Sequence, residues 1–256
     1  MNADHTKNIV EVRNVSFKYG QEQVLKDISL SIHKGDYLGV VGSNGAGKTT
    51  FLKIVLGLLT PGRGSVKLFG KNISEFKDWY KIGYVPQKAT NFDQNFPATV
   101  KDVVLMARFA QKKPFQYTDK KDNEIAEFSL KQVDMLDFKD RMIGDLSSGQ
   151  QQRVFIARAL ASQPEIIFLD EPTTGVDQKS QDEFYSILKK MNQEMNLTLV
   201  LITHDIARVL KEAMHIACID HYLVCHTSAE DFIRDNPSLN VSGHVVQTIE
   251  HRHTNK

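Results

Sequence analysis

A phosphate-binding pattern lies between an apolar run and an amphipathic run of the chain. The pattern is G-x-x-x-x-G-K-[ST], whose glycines let backbone N–H groups close around phosphate oxygens without side-chain clashes. The helix that follows presents its positive end to the same anion. The pattern predicts binding of a nucleoside triphosphate with Mg²⁺, with Lys48 reaching the β- and γ-phosphates and Thr49 on the metal. The matching residues are Gly42, Ser43, Asn44, Gly45, Ala46, Gly47, Lys48 and Thr49, and Thr50 follows them.

Two adjacent carboxylates follow a second apolar run, Ile166–Leu169. A buried strand there would deliver Asp170 and Glu171 to its carboxyl end. Asp170 could then hold the Mg²⁺ shell, and Glu171 could act as general base toward the attacking water. In isolation such a run is more often a strand entering a turn. Its position after a phosphate-binding loop favours the catalytic interpretation.

Leu146-Ser147-Ser148-Gly149-Gln150 resembles the Leu-Ser-Gly-Gly-Gln signature of the ATP-binding subunits of ABC transporters, with Ser148 in place of the first glycine. The Ser147 hydroxyl and the Gly149 N–H would lie at a helix N-terminus and could bind a γ-phosphate. In that family the phosphate belongs to ATP on the partner subunit. The resemblance therefore implies that Ser147, Gly149 and Gln150 contact ATP across a homodimer of ATPase subunits.

Four further residues match that family's motifs, and the resemblance extends from Val10 to about Ile219. It implies that Gln87 touches Mg²⁺ and the attacking water, and that His204 contacts the γ-phosphate. It also implies that Asp177 lies in the loop that crosses the dimer interface, although its neighbours depart from the common Ser-Ala-Leu-Asp. Tyr19 would stack its ring on adenine.

Three of these four residues also have a structural interpretation. A glutamine at a strand end can simply be exposed, as Gln87 would be. His204 could cap a strand end, and Tyr19 could be one more apolar strand residue.

The order of apolar patterns predicts an α/β fold. A P-loop NTPase core, with a mostly parallel sheet and flanking helices, would carry an antiparallel β subdomain and an inserted α-helical subdomain. We expect one ABC ATPase domain, 1–256, with its core in 8–87 and 153–220, the helical subdomain in 88–152 and an extension in 221–256. The predicted strands are Ile9–Tyr19, Val24–Ile32, Leu38–Val41, Val66–Phe69, Lys81–Pro86, Ile166–Leu169 and Leu197–Ile202. The predicted helices are Val100–Phe109, Glu124–Val133, Gly149–Ala161, Ser180–Met195 and Ile206–Met214, besides the one after the phosphate-binding loop.

Composition limits the partners and the compartment. Lys and Arg number 32 against 31 Asp and Glu, so overall charge gives no reason to expect a nucleic-acid partner. No apolar run is long enough for a transmembrane helix, and the N-terminal segment lacks a signal-peptide pattern. Cys218 and Cys225 fit neither zinc spacing nor a disulfide framework, which favours reduced thiols. If the protein works at a membrane, we therefore expect it to be a peripheral subunit, and the resemblance to ABC transporter subunits implies the cytoplasmic face of that membrane.

Two segments resemble ATPases of zinc and manganese uptake systems. They are Asn91–Val100 and Glu171–Asp177, the latter running into Glu183-Phe184-Tyr185. The first lies where the family docks its integral membrane permease. The resemblance implies import of a divalent metal, zinc ahead of manganese, with an extracellular or periplasmic substrate-binding protein as indirect partner.

Other interpretations stay open at this point. The cargo could be another substrate, or the chain could be a non-transport ABC ATPase acting on ribosomes or DNA. A binding module that uses ATP as a scaffold would be expected to lose the base, whereas Glu171 and His204 are both present. His244, His251 and His253 could hold a transition metal weakly, but incidental tail histidines are the favoured interpretation.

Overall fold

Two β-sheets organise the computed structural model, which describes residues 4–87, 96–109, 111–113 and 116–236. The smaller sheet is antiparallel, and its four strands lie in the order β2-β1-β4-β5. These strands are β1 (Asp4–Tyr19), β2 (Glu22–Lys34), β4 (Arg63–Leu68) and β5 (Lys71–Asn72). It is the antiparallel subdomain that the alternating apolar pattern predicts.

The larger sheet has six strands in the order β10-β9-β3-β8-β7-β6. Its strands from β9 to β6 are parallel, and β10 joins the edge in antiparallel pairing with β9. They are β3 (Tyr37–Val41), β6 (Ile82–Val85), β7 (Ile166–Asp170), β8 (Thr198–Thr203), β9 (His215–Asp220) and β10 (Tyr222–Ser228). Because parallel strands end at the same edge, the segments that follow β3, β6, β7 and β8 come together there.

Helices cover one face of the larger sheet, and the smaller sheet with α1 covers the other. Alternate residues of β7 show the division: Ile167 and Leu169 join the core under the helices, whereas Ile166 and Phe168 join the core on the other side. The helices are α1 (Lys48–Val55), α2 (Val100–Phe109), α3 (Lys120–Gln132), α4 (Ser148–Ala161), α5 (Gln178–Met195), α6 (Ile206–Glu212) and α7 (Ala229–Asp235). In the part of the chain that the structure describes, none of them is long and apolar enough to cross a membrane.

The predicted α/β fold class is confirmed. Helices α2, α3 and α4 pack on one another and form the helical insertion. The structure adds α7, which the sequence pattern did not predict. Helix α4 runs unbroken across residue 152, and the division of the chain into 8–87 with 153–220, 88–152 and 221–256 stays a prediction.

The expectation of reduced cysteines is wrong in this structure, which joins Cys218 and Cys225 in a disulfide. They lie directly opposite each other in the β9–β10 hairpin, with Cα atoms 4.9 Å apart. A tight hairpin makes cross-strand partners of residues seven apart, so the short spacing is compatible with a disulfide.

Asp36 anchors the end of β3 that lies opposite the phosphate-binding loop. Its carboxylate accepts a hydrogen bond from the His33 N–H at 2.7 Å, and His215 Nδ1 lies 3.4 Å from Asp36 Oδ1. This pairing raises the pKa of His215. Burial opposes ionisation of Asp36, but the contacts with both histidines hold its pKa below the ordinary value.

Candidate active site

The phosphate-binding loop follows β3 directly and ends where α1 begins at Lys48. Gly47 is the N-cap of α1 and has a left-handed backbone with φ 94°, a conformation that other residues rarely adopt. The loop has both exposed and buried residues. Ser43, Asn44, Gly45 and Thr49 are exposed, whereas Ala46, Gly47, Lys48 and Thr50 are buried.

Close packing on both sides fixes the loop. A side chain at Gly42 would collide with the Ile219 carbonyl of β9, and one at Gly47 would meet the Val24 carbonyl and the Leu25 side chain of β2. These contacts explain why the loop requires glycine at both positions. They also tie the loop to both β-sheets.

The Lys48 ammonium lies inside this loop. It donates hydrogen bonds to the carbonyl oxygens of Gly42 at 2.8 Å and Ser43 at 2.9 Å. Burial lowers its pKa, while the nearby carboxylates of Glu171 and Asp170 oppose that shift. A cation is therefore held ready at the point where the motif predicts phosphate.

Asp170 ends β7 and is 3% exposed. Its Oδ1 atom is buried and has no hydrogen-bond partner among the described residues. Burial raises the pKa of Asp170, the charge of Glu171 raises it further, and Lys48 opposes the shift. A buried carboxylate oxygen of this kind is suited to a cation rather than to a neutral partner.

Glu171 brings together residues from three strand ends. His204 Nδ1 lies 3.1 Å from Glu171 Oε1, and Gln87 Nε2 donates to Oε2 at 3.4 Å. Gln87 follows β6, Glu171 follows β7 and His204 follows β8, so the predicted catalytic residues meet at one edge of the larger sheet.

Thr174 is the residue near this group that the sequence analysis missed. Its hydroxyl donates to the Glu171 carbonyl at 3.2 Å and lies 3.5 Å from Glu171 Oε2. A threonine hydroxyl that donates to the backbone carbonyl three residues earlier is a known local hydrogen-bonding pattern. The spacing of three residues between Glu171 and Thr174 is the signal in the sequence that could have identified this contact.

Tyr19 lies at the end of β1 and is 48% exposed. Its ring packs edge-on against Phe17, with ring centroids 4.9 Å apart. It is paired with Glu22 at the turn into β2, the strand whose Val24 carbonyl approaches Gly47 of the loop. The exposed ring is therefore on the hairpin that borders the phosphate-binding loop.

The signature residues begin α4. The Ser147 hydroxyl accepts from the Gln150 N–H at 3.3 Å, and the Gln150 side chain accepts from the Ser147 N–H at 3.0 Å, which together form a capping box. Gly149 is packed so closely against Ser180 of α5 that an added Cβ would require a shift. Within 4–87, 96–109, 111–113 and 116–236, no hydrogen bond joins these signature residues to the phosphate-binding loop.

Asp177 is the N-cap of α5, where its carboxylate accepts from the Ser180 N–H at 3.0 Å. The hydrogen bonds from Ser180 lower its pKa. Capping of α5 is by itself sufficient to explain an aspartate at position 177. Residues 91–95 of the Asn91–Val100 segment, and the tail histidines at 244, 251 and 253, lie outside the described residues.

Comparisons with known proteins agree with this arrangement. A family model described as "ABC transporter" matches residues 25–174. A zinc uptake system ATP-binding protein of Listeria monocytogenes is 45% identical over 226 residues, which are 88% of this chain and 88% of that protein. A manganese transport system ATP-binding protein of Halalkalibacterium halodurans is 39% identical over 87% of each chain.

A solved structure extends the comparison to the fold. It is a dimeric ATP-binding cassette in a post-hydrolysis state, bound to ADP and Pi, and it is 30% identical to this chain. The match covers 86% of this chain and 98% of the other with a TM-score of 0.71. By its family match and these relatives, the chain belongs to the ABC transporter family and is one of its ATP-hydrolysing cassettes.

Proposed function

We propose that this cassette powers import of a divalent metal ion, zinc ahead of manganese. The observation that carries the proposal is the 45% identity, over 88% of the chain, to a zinc uptake ATP-binding protein. The manganese relative is less similar, at 39%. The residue roles that follow are part of the same proposal.

ATP lies with its phosphates on the loop 42–49 and its adenine on Tyr19. Backbone N–H groups of the loop and of the start of α1 surround the phosphates. They belong to Ser43, Asn44, Gly45, Ala46, Gly47, Lys48, Thr49 and Thr50. Lys48 exchanges its two carbonyl partners for the β- and γ-phosphates. Because those carbonyls are neutral and the phosphates are charged, the exchange favours the nucleotide.

Mg²⁺ fits the side chains at this edge of the sheet. Mg²⁺ prefers hard oxygen donors. Three are present here: the buried Asp170 Oδ1, which has no hydrogen-bond partner in the described part of the chain, the hydroxyl of exposed Thr49, and the Gln87 amide oxygen. Among the described residues, no group of three or more His, Cys, Asp and Glu side chains could hold a metal ion. That fits a cation whose other ligands are phosphate and water. The bound cation would offset the charge of the transferred phosphoryl group.

Hydrolysis uses Glu171 as general base. The carboxylate takes a proton from water as the water oxygen bonds to the γ-phosphorus, and the bond from that phosphorus to the β–γ bridging oxygen breaks, giving ADP and phosphate. His204 and Gln87, which contact the two Glu171 oxygens, orient the γ-phosphate and the water. Lys48 stabilises the charge on the phosphoryl oxygens.

The active unit is a homodimer of ATPase subunits with two ATP molecules between them. Because the Ser147 hydroxyl accepts a hydrogen bond from Gln150, its own proton is available to a phosphate of the partner's ATP. Ser147, Gly149 and Gln150 present the N-terminal end of α4 to that phosphate, and Asp177 lies at the same interface. The solved dimeric cassette, similar over 86% of this chain, supports this assembly.

The dimer drives integral membrane permease subunits from the cytoplasmic face of the membrane, where it is peripheral. An extracellular or periplasmic substrate-binding protein delivers the metal to the permease. The cargo passes through the permease, so zinc is the substrate of the complex and does not bind the ATPase site.

Metal uptake by a strain that lacks this gene tests the proposal. We expect poor growth under zinc chelation, and recovery with added zinc in preference to manganese or iron. Radioactive zinc uptake should return with the wild-type gene but not with a Glu171→Gln gene expressed to the same level. If manganese uptake depends on the gene while zinc uptake does not, the cargo is manganese and not zinc. If growth is indifferent to chelators but is restored by a sugar, amino acid or peptide, the proposal of metal import is wrong.

A further inference from the structure

Glu171 has an unusual backbone conformation. Its φ of 43° lies in the left-handed region, which non-glycine residues rarely adopt because Cβ crowds the neighbouring carbonyl. Such a conformation persists only where the surroundings impose it. On one side the restraint is plain, because the Glu171 N–H donates to the Ile202 carbonyl of β8 at 2.8 Å.

Thr174 supplies the restraint on the other side. Its hydroxyl donates to the Glu171 carbonyl at 3.2 Å, and its N–H donates to the same oxygen at 3.4 Å. The hydroxyl also lies 3.5 Å from Glu171 Oε2. One side chain thus reaches both the strained backbone and the carboxylate, and a single proton serves one oxygen at a time.

The direction of the carboxylate depends on this backbone. Glu171 Oε1 faces His204 and Oε2 faces Gln87, and its side chain is 13% exposed. A rotation at φ would carry the carboxylate away from both partners. Thr174 itself is exposed, so burial of its side chain does not explain its contacts.

We propose that Thr174 is a positioning residue for ATP hydrolysis, which holds Glu171 in its left-handed conformation and aims the carboxylate between Gln87 and His204. The inference rests on the proposed role of Glu171 as general base. Thr174 acts through Glu171 and does not bind nucleotide. Its loss should therefore lower kcat and leave the KM for ATP unchanged.

Steady-state ATPase measurements on the purified full chain test this. Thr174→Val keeps the shape and removes the hydroxyl, and should lower kcat about 3- to 10-fold, the effect of one lost hydrogen bond, with KM within about twofold. Thr174→Ser keeps the hydroxyl and should restore kcat to within about twofold. The matched control is Thr173→Val, because the Thr173 hydroxyl contacts the Tyr185 hydroxyl at 3.3 Å instead, and it should retain wild-type kcat.

Measurements in the Glu171→Gln variant distinguish the positioning role of Thr174 from the general-base role of Glu171. In Glu171→Gln, adding Thr174→Val should lower the residual rate by less than about twofold, because both act through one group. Wild-type turnover by Glu171→Gln would overturn the base role itself. If Glu171→Gln is inactive while Thr174→Val turns over like wild type, or if Thr174→Ser is as slow as Thr174→Val, the positioning role of Thr174 is wrong.

Discussion

Replacement of Arg208 by methionine should lower the free energy of unfolding more than a substitution of its exposed partner Asp182. Arg208 lies on α6 with its side chain 8% exposed, 2.6 Å from Asp182 of α5 and 3.5 Å from Glu212 of its own helix. Its guanidinium also stacks on the Tyr185 ring at 4.5 Å. One cation thus ties the helix after His204 to the helix after Asp177.

The three contacts of Arg208 contribute differently to the free energy of unfolding. Asp182 is 54% exposed, so that pair contributes at most about 1 kcal/mol. The stacking on Tyr185 contributes about 1 kcal/mol. Glu212 is 9% exposed, and leaving its carboxylate without a cation costs about 1–2 kcal/mol. Arg208→Met should therefore lower the free energy of unfolding by about 3 kcal/mol, or Tm by roughly 6–12 °C.

Thermal unfolding followed by circular dichroism measures the effect, with Asp182→Asn as the matched control. The control removes only the charge of the exposed partner and should cost less than about 1 kcal/mol. If Arg208→Met lowers Tm no more than Asp182→Asn does, the buried contacts of Arg208 do not stabilise the fold and the reasoning fails.

Four further predictions concern the site and the sheet beneath it. Glu171→Gln should bind ATP but lose about 10²–10⁴-fold in kcat and accumulate as an ATP-bound dimer, as measured by steady-state kinetics and size-exclusion chromatography. Lys48→Ala should lose ATP affinity in a nucleotide titration while its thermal unfolding is unchanged, because the hydrogen bonds of the ammonium to described residues go to loop carbonyls. Ser147→Arg should bind ATP and fail to hydrolyse it, and normal turnover would exclude the assignment across the dimer. Because the pKa of His215 is raised above 6.5 and that of Asp36 is lowered below 3.8, their pairing should stabilise the fold fully between these two ordinary values. It should be lost as pH rises through the raised pKa of His215, so Tm profiles should show a larger deficit for His215→Gln at pH 6 than at pH 9.

The sequence was sufficient to predict the elements that present the site. Each predicted site residue next to a strand of the larger sheet comes directly after an apolar run, and such runs form buried parallel strands whose ends share an edge. Gln87, Glu171 and His204 could therefore be expected near one another. Their contacts depend on the strand order β8-β7-β6, which a single sequence does not determine.

What the sequence could not predict depends on contacts across the fold. The sequence pattern assigns Gly149 to phosphate binding, and the structure also shows close packing against Ser180. The pairing of Cys218 with Cys225 depends on the register of the β9–β10 hairpin. The role of Thr174 depends on the left-handed backbone of Glu171, which residue types alone do not reveal.

The distribution of contacts within one chain is compatible with the proposed site between two copies. The loop lysine and the group around Glu171 meet at one sheet edge, where Glu171 and Asp170 affect the pKa of Lys48. Ser147 and Gln150 instead contact each other at the start of α4, and Gly149 packs on α5. In the described part of the chain these signature residues have no hydrogen bond to the loop of their own subunit, although their hydroxyl and N–H groups suit a phosphate. A phosphate supplied by a partner subunit would use them, which is why Ser147→Arg is expected to block turnover and spare ATP binding.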